Sequence, residues 1–232
     1  NLFIKRESMS KYKAVIFDLD GTLLNTIDDL AAGVNHVLAA HGYPVHSVPE
    51  VQSMVGNGVA RLMALAVPEG TSAEEQSAML AEFREYYFSH SEVYTKPYDG
   101  IEELLAGLQS RGIKTAVTSN KFDAAVKKLC DKYFGSLITV AIGESADTPK
   151  KPDPKMVEKA LALLGIGADE ALYVGDSDVD IVTAKNAGLD SVSCTWGFKS
   201  REFLISEREK VLGCADPRMM IDEPSELFSA ME

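Results

Sequence analysis

Two aspartates at the end of an apolar run constrain this chain more than any other feature. Residues 14–17 read Ala-Val-Ile-Phe and predict a short buried strand, which Asp18 and Asp20 follow. Because residues two apart in an extended segment point the same way, both carboxylates can converge on one site. Ionised carboxylates in an apolar site need a metal or a partner. A nucleophilic carboxylate beside a proton donor suits two-step phosphoryl transfer, whereas a solvated acidic loop is the simpler alternative.

A second apolar run, residues 114–118, ends in the small polar residues Ser119 and Asn120. A hydroxyl and backbone N–H groups at this point can hold a phosphate oxygen. The alternative is that one of the two side chains caps the N-terminus of the next helix. Both interpretations stay open for this segment taken alone.

Lys151 stands in the sequence Lys-Lys-Pro-Asp-Pro, residues 150–154. Pro152 and Pro154 stiffen the backbone ahead of a predicted helix at 155–164. A lysine held in this way is a fixed positive charge, suited to a phosphate or to developing negative charge. The alternative is a solvated lysine on the surface.

A third apolar run, residues 171–174, leads into Gly175 and Asp176, with Asp178 and Asp180 close behind. Hard oxygen ligands at the end of a strand suit Mg²⁺. The alternative is that Asp178 caps a helix over 179–187 and that the charges of Asp176 and Asp180 interact favourably with the positive N-terminal end of this helix. Asp176 follows a buried strand directly and is harder to explain in that way.

These four segments, in this order, resemble the haloacid dehalogenase superfamily of aspartate-dependent phosphohydrolases, from about Lys13 to about Leu227. The resemblance implies that Asp18 is the nucleophile that becomes an aspartyl-phosphate and that Asp20 is the general acid and base. It also implies that Lys151 offsets charge on Asp18 and the phosphoryl group.

The same resemblance implies the binding groups. Ser119 and the Asn120 amide would hold phosphoryl oxygens. The Mg²⁺ ligands would be the carboxylates of Asp18 and Asp176 and the backbone carbonyl of Asp20. Asp180 would support the metal through water or by orienting Lys151.

Strand and helix signals alternate along most of the chain, which predicts an α/β fold with a doubly wound, Rossmann-like parallel sheet. We assign residues 11–23 and 98–232 to this core and expect residues 1–10 to be a leader or expression remnant. The predicted strands end near Phe17, Ser119, Ile142, Gly175 and Trp196. The predicted helices cover about 101–110, 122–132, 155–164 and 179–187.

The segment 24–97 carries only helical signals, including apolar residues at helical spacing over 27–38, 51–62 and 79–87. It matches the inserted helical cap that the superfamily resemblance implies. Such a cap would exclude water from the site and recognise the leaving group of the substrate. Within it, Asn57 and Gly58 could turn backbone N–H groups to the site, and Arg61 could pair with a substrate carboxylate. Alternatively, this stretch is an ordinary helix start with Arg61 solvated.

The cap sequence Gly-Asn-Gly-x-x-x-Leu-Met at 56–63, with Ser-Asn-Lys at 119–121 and Thr-Trp-Gly-Phe at 195–198, resembles phosphoglycolate phosphatases. This implies hydrolysis of 2-phosphoglycolate to glycolate and phosphate. A phosphosugar mutase similar to β-phosphoglucomutase, a pyrophosphatase or a broad sugar-phosphate phosphatase are the alternatives. Asp20 and Asp176 argue against dehalogenation, which needs neither a general acid at that position nor Mg²⁺.

The amino-acid composition limits the kinds of molecule that this chain could bind. The 232 residues carry 23 basic and 35 acidic side chains, for a net charge of −12, which argues against nucleic acid and anionic membranes. No apolar run approaches the roughly 20 residues of a membrane span. Three widely spaced cysteines fit a reducing compartment, expected to be the cytoplasm. The expected partner is a small phosphoester, and the sequence leaves the oligomeric state open.

Overall fold

The structure, a computed structural model, describes residues 10–232. The expected leader therefore lies outside the described residues except for Ser10. The strands are β1 (Ala14–Phe17), β2 (Leu24–Asn25), β3 (Lys96–Pro97), β4 (Lys114–Phe122), β5 (Val140–Glu144), β6 (Ala171–Gly175), β7 (Asp190–Cys194) and β8 (Met220–Ile221). The helices are α1 (Ile27–Ala40), α2 (Val48–Met54), α3 (Val59–Ala66), α4 (Ala73–His90), α5 (Ile101–Ser110), α6 (Asp123–Phe134), α7 (Lys155–Leu164), α8 (Asp178–Ala187), α9 (Arg201–Leu212) and α10 (Leu227–Ala230).

Six strands form one parallel sheet in the order β5-β4-β1-β6-β7-β8. Alternate residues of β1 face opposite sides of this sheet. Val15 and Phe17 join the buried cluster that includes α5 and α6. Ala14 and Ile16 join the cluster that includes α7 and α8. Helices therefore cover both faces, and the predicted doubly wound α/β fold is confirmed.

The local sequence explains the helix that follows the lysine–proline segment. Apolar residues at helical spacing give α7 one buried face, and the helix ends at Gly165, whose φ of 68° is left-handed. The buried residues are Met156, Val157, Ala160, Leu161 and Leu164. Both ends of α7 agree with the sequence prediction.

The start of α8 differs from the alternative considered for Asp178. Ser177 is the N-cap residue, and its hydroxyl and backbone N–H both donate to Asp180 Oδ2, at 2.6 and 3.1 Å. Asp178 is the first helical residue of α8 and is not its N-cap. A serine cap with an acid three residues later is the usual capping box, so the cap lies one residue earlier than that alternative placed it.

Strand β4 also runs further than expected. It ends at Phe122 and not near Ser119, because an irregularity between these residues lets Phe122 pair again with Glu144 of β5. Lys121 is therefore part of a buried strand. The other strand ends shift by two residues or fewer.

Helices α1 to α4 bury their own apolar cluster, separate from those of the sheet, which includes Val34, Leu38, Met63, Phe83 and Tyr87. The expectation of helical elements alone in 24–97 is wrong at its two ends. There β2 and β3 pair as a two-stranded antiparallel ribbon that joins this helical unit to the sheet. No helix within residues 10–232 has the length and apolar character that crossing a membrane requires.

Candidate active site

The polar residues singled out in the sequence meet at one edge of the sheet. Asp18 follows β1, Asp176 follows β6, and Ser119 lies near the end of β4, which are three neighbouring strands. Parallel strands present their carboxyl ends at the same edge, where open α/β sheets bind ligands. The loop before α7 brings Lys151 to the same place.

Lys151 is a buried cation between two carboxylates. Its Nζ lies 2.9 Å from Asp18 Oδ1 and 2.7 Å from Asp180 Oδ1, and the residue is only 2% exposed. Burial acts to lower the pKa of Lys151, but the two carboxylates outweigh it and raise the pKa above its ordinary range. Burial and the charge of Asp180 raise the pKa of Asp18 well above its usual value, against the pull of Lys151. The backbone N–H of Leu19 also donates to Asp18 Oδ1, at 2.7 Å.

Asp176 is held by hydrogen bonds to both of its oxygens. Oδ1 accepts from the Thr22 hydroxyl at 3.2 Å, and Oδ2 accepts from the Phe198 N–H at 2.7 Å. Burial, followed by the charge of Asp180, raises the pKa of Asp176 to about 7. Gly21 makes this approach possible, because its φ is 82° and a Cβ there would lie 2.4 Å from Asp176 Oδ2.

Asp18, Asp176 and Asp180 each offer a carboxylate oxygen, and these oxygens lie within 4.8 Å of one another. Hard oxygen donors gathered in a buried pocket fit a divalent cation. Asp180 has both oxygens engaged, by Lys151 and by Ser177. Its contact with Lys151 is the one through which Asp180 would orient this lysine.

Asp20 has a partner that sequence reasoning missed. Its Oδ1 accepts a hydrogen bond from the Thr26 hydroxyl at 2.7 Å and lies 3.1 Å from the ammonium of Lys121. The Lys121 amine also donates to the Tyr87 hydroxyl of α4, at 2.8 Å. In the sequence, a lysine just beyond the predicted end of a buried strand was the available signal, but only the extension of β4 and the packing of α4 place this lysine beside Asp20.

Ser119 and Asn120 do not cap α6, so that alternative is wrong. The N-cap position belongs to Phe122, which has no side-chain bond to the helix. Ser119 Oγ accepts from the Lys121 N–H at 3.2 Å. Asn120 Oδ1 accepts from the backbone N–H of Lys151 at 2.6 Å and so fixes the segment that carries this lysine.

A cavity of about 50 Å³ lies between these residues and the helical unit. The sheet side contributes Asp18, Asp20, Ser119, Asn120, Lys121, Lys151, Asp176, Ser177, Phe198 and Lys199. The helical side contributes Leu30, Val55, Gly56, Gly58, Val59 and Leu62. The lining residues of the helical side form an apolar roof, and those of the sheet side form a polar floor. Such a roof would exclude water and strengthen the electrostatic interactions at the floor.

Two predicted substrate residues do not reach this cavity. Arg61 and Asn57 are exposed and are not among its lining residues. The buried face of α3 carries Val59, Leu62 and Met63, which leaves Arg61 on the solvent side. Gly58 does line the cavity.

The sheet, the carboxylate cluster at its edge and the helical roof are together typical of capped α/β enzymes that act on phosphoesters. A family model of haloacid dehalogenase-like hydrolases matches residues 15–194. The chain therefore belongs to the haloacid dehalogenase-like hydrolases, as its motifs predicted. Phosphatases of this family generally use a divalent metal, and the acidic cluster is suited to one.

Relatives of known name agree with this assignment. The chain is 32% identical to Phosphoglycolate phosphatase 1 of Pseudomonas aeruginosa, over 94% of this chain and 85% of that protein. It is 31% identical to phosphoglycolate phosphatase of Aquifex aeolicus, over 95% and 97%. It is 30% identical to N-acetylmuramic acid 6-phosphate phosphatase of Pseudomonas aeruginosa, over 96% of each. The predicted class of phosphoric monoester hydrolase is confirmed.

A solved structure is also similar along nearly the whole chain. It is that of a proposed phosphoglycolate phosphatase from Lactobacillus delbrueckii subsp. bulgaricus, with a TM-score of 0.87 and 32% identity. The match covers 95% of this chain and 98% of that one. The arrangement of sheet and helical unit is therefore shared with that protein.

Proposed function

We propose that this protein hydrolyses a small phosphomonoester, 2-phosphoglycolate, to glycolate and phosphate through an aspartyl-phosphate on Asp18. The observation that carries the proposal is the Asp18 carboxylate, which Lys151 holds at 2.9 Å on the floor of a covered cavity. A fixed cation beside the nucleophile offsets the repulsion between a carboxylate and a phosphate dianion.

In the first step, an Asp18 carboxylate oxygen attacks phosphorus, and the bond from phosphorus to the leaving oxygen breaks. Asp20 donates its proton to that oxygen, which leaves as the glycolate hydroxyl. Thr26 and Lys121 both contact Asp20 Oδ1, which leaves Oδ2 as the atom that carries the proton. The Ser119 hydroxyl and the backbone N–H of Asn120 bind the equatorial phosphoryl oxygens.

In the second step, water attacks the phosphorus of the aspartyl-phosphate. Asp20, now ionised, accepts the proton of this water, and the bond between phosphorus and Asp18 breaks to release phosphate and the free carboxylate. Each proton that Asp20 gives in the first step thus returns to it in the second. The cavity roof excludes other waters from the intermediate.

Mg²⁺ is the proposed cofactor. Asp18, Asp176 and the backbone carbonyl of Asp20 would hold it, while Asp180 orients Lys151. When bound, it supplies positive charge that stabilises the transferring phosphoryl group.

The small cavity favours a small substrate. An engineered cavity of about 150 Å³ holds one benzene molecule, and this one measures about 50 Å³. A two-carbon phosphoester therefore needs less opening of the roof than a sugar phosphate or a sugar bisphosphate does. Relatives named phosphoglycolate phosphatase also support the proposal.

Phosphate release from a panel of substrates tests this function. The panel contains 2-phosphoglycolate, pyrophosphate, β-glucose 1-phosphate and N-acetylmuramic acid 6-phosphate. We expect a kcat/KM preference of about a hundredfold for 2-phosphoglycolate, about 2.7 kcal/mol of discrimination. Flat, weak activity across the panel would contradict the substrate, and a requirement for a sugar bisphosphate would indicate a mutase.

Asp18→Asn tests the nucleophile, with Asp178→Asn as the matched control. The first substitution should abolish phosphate release and acid-stable labelling of the protein by the phosphoryl group. The second removes a half-buried acid that does not line the cavity, and release should continue. Unchanged release in Asp18→Asn would refute the covalent mechanism.

A further inference from the structure

The loop that follows β7 joins the acidic site to the helical unit. Its Phe198 N–H donates to Asp176 Oδ2 at 2.7 Å. A Cβ on Gly197 would lie 2.3 Å from the Cβ of Asp176, so only glycine lets the backbone pass this close. The loop is therefore held at a fixed distance from the floor of the cavity.

The other side of this loop touches the helical unit. Gln52 Nε2 donates to the Phe198 carbonyl at 3.1 Å, and Lys199 Nζ donates to the Val55 carbonyl at 3.4 Å. The second bond is long for an ammonium donor, whose bonds to carboxylates measure about 2.7–2.9 Å. A carboxylate within reach would therefore be a better partner for Lys199 than this carbonyl.

Within residues 10–232, three lysines line the cavity, and they differ in their partners. Lys151 is paired with Asp18 and Asp180, and Lys121 is paired with Asp20. Lys199 is only partly buried and makes no ion pair with any residue of the described range 10–232. It is thus the lining lysine that no carboxylate of the described residues pairs with.

Val55 and Phe198 line the cavity next to Lys199. Apolar neighbours reduce the access of water to an ammonium and strengthen its interaction with an anion. The nucleophile and Lys151 already serve the phosphoryl end of a bound phosphoester. The charge of Lys199 is therefore available for a second anionic group.

We propose that Lys199 is a specificity-determining residue that binds the carboxylate of a small phosphomonoester, the role that the sequence suggested for Arg61. This inference rests on the proposed phosphatase function and names the residue that recognises the carboxylate of the substrate. It selects 2-phosphoglycolate over phosphoesters of similar size that lack a carboxylate. Because the loop also contacts Asp176 and the helical unit, a carboxylate on Lys199 is bound where floor and roof meet.

The test compares 2-phosphoglycolate with 2-hydroxyethyl phosphate, in which a hydroxymethyl group replaces the carboxylate. The measured quantity is the ratio of the two kcat/KM values. In Lys199→Met this ratio should fall by about 10- to 100-fold relative to the wild type, since a hydrogen bond to a charged group contributes about 1.5–3 kcal/mol. The loss should lie mainly in KM for 2-phosphoglycolate, and Lys199→Arg should restore much of the ratio.

Lys150→Met is the matched control. Lys150 is exposed, and its amine contacts the Asn57 carbonyl of the helical unit at 3.4 Å, but it does not line the cavity. Its replacement removes a comparable contact between the two parts of the protein. The substrate ratio should keep its wild-type value in this variant.

Binding measured by calorimetry separates this inference from the proposed function. The Asp18→Asn protein binds without turnover, and the ratio of Kd values for the two phosphoesters is compared with and without Lys199→Met. An unchanged ratio would overturn the role of Lys199 even if 2-phosphoglycolate is hydrolysed well. A ratio that falls while the wild-type enzyme prefers another carboxylated phosphoester, such as phospholactate, would support Lys199 and refute the proposed substrate. Equal losses for both phosphoesters would place Lys199 at the phosphoryl group and overturn the inference.

Discussion

The ammonium of Lys121 lies 3.1 Å from Asp20 Oδ1 and 2.8 Å from the hydroxyl of Tyr87. Asp20 belongs to the loop after the first strand, whereas Tyr87 lies on the last helix of the helical unit. A single buried lysine therefore connects the proposed general acid to the helical unit that covers the cavity. Its aliphatic chain and charge are enclosed, with the side chain 1% exposed.

Replacement of this lysine should impair the proton transfers. In Lys121→Met, the bond from Thr26 is the one side-chain contact that Asp20 keeps within the described residues, so its carboxyl is held less firmly. Because positioned acid–base groups contribute about 10²- to 10⁴-fold, we expect kcat to fall by about tenfold or more, with a smaller change in KM. Steady-state kinetics on the preferred phosphoester measure both.

Lys128→Met is the control for Lys121. Lys128 also donates to the last helix of the helical unit, at the Phe88 carbonyl 2.9 Å away, but it lies outside the cavity. Its kcat should stay close to the wild-type value. If both variants have the same kcat, the contact between Lys121 and Asp20 has no role in the reaction.

Gly21→Ala should displace the carboxylate of Asp176. The new Cβ would lie 2.4 Å from Asp176 Oδ2, and the φ of 82° is unfavourable for alanine. Strain and overlap together should lower the free energy of unfolding by about 2 kcal/mol or more and weaken metal binding. Denaturant unfolding and calorimetric titration with Mg²⁺ measure the two effects.

Gly42→Ala separates the two causes. Gly42 has a similar φ of 71°, but a Cβ there meets no atom of residues 10–232 within 4 Å. This variant should show only the backbone strain, about 1–2 kcal/mol, and bind metal as the wild type does. Equal metal affinity in Gly21→Ala would contradict the close contact with Asp176.

Much of the fold follows from the sequence because its signals are local. The apolar run at 14–17 forms the strand before Asp18, and the helix at 155–164 has both predicted ends, since its apolar stripe and Gly165 define them. The candidate site residues Asp18, Ser119 and Asp176 lie together because parallel strands share one carboxyl edge, and the loop before α7 adds Lys151. Their chemical roles remain proposals.

The residues that sequence reasoning missed depend on contacts between distant segments. Lys121 reaches Asp20 only because β4 continues past an irregularity, and Lys199 reaches the cavity only because Gly197 passes against Asp176. Neither the irregularity in β4 nor the close approach of Gly197 to Asp176 produces a recognisable pattern in the nearby sequence. Arg61 is different, because the buried stripe of Val59, Leu62 and Met63 already implied that its side chain faces solvent.

Arg61→Ala should therefore leave catalysis close to the wild-type level. The side chain is exposed and does not line the cavity. We expect kcat/KM for 2-phosphoglycolate to change by less than about twofold, the range in which surface substitutions away from a site usually fall. A large rise in KM would show that the roof moves on substrate binding and brings Arg61 to the carboxylate.

The stabilisation that Mg²⁺ gives should grow with pH. Burial and the Asp180 carboxylate raise the pKa of Asp176 to about 7, far above the value near 4 expected in the unfolded chain. The folded, metal-free protein thus binds more protons than the unfolded chain between these values. The stability that Asp176 gives to the folded, metal-free protein is therefore lost as the pH rises from about 4 to about 7. A bound cation replaces the proton, so the stabilisation by the metal is largest at a pH where the carboxyl of Asp176 would otherwise be ionised with no cation bound to it.

Thermal unfolding with and without saturating Mg²⁺ measures this effect. The rise in Tm on adding the metal should be several degrees larger at about pH 7.5 than at about pH 5.5, because protons compete with the cation at the lower pH. Asp176→Asn should remove most of the rise at both pH values, whereas Asp178→Asn should keep it, since Asp178 does not line the cavity. An equal rise at both pH values in the wild type would mean that the metal does not displace a proton from Asp176.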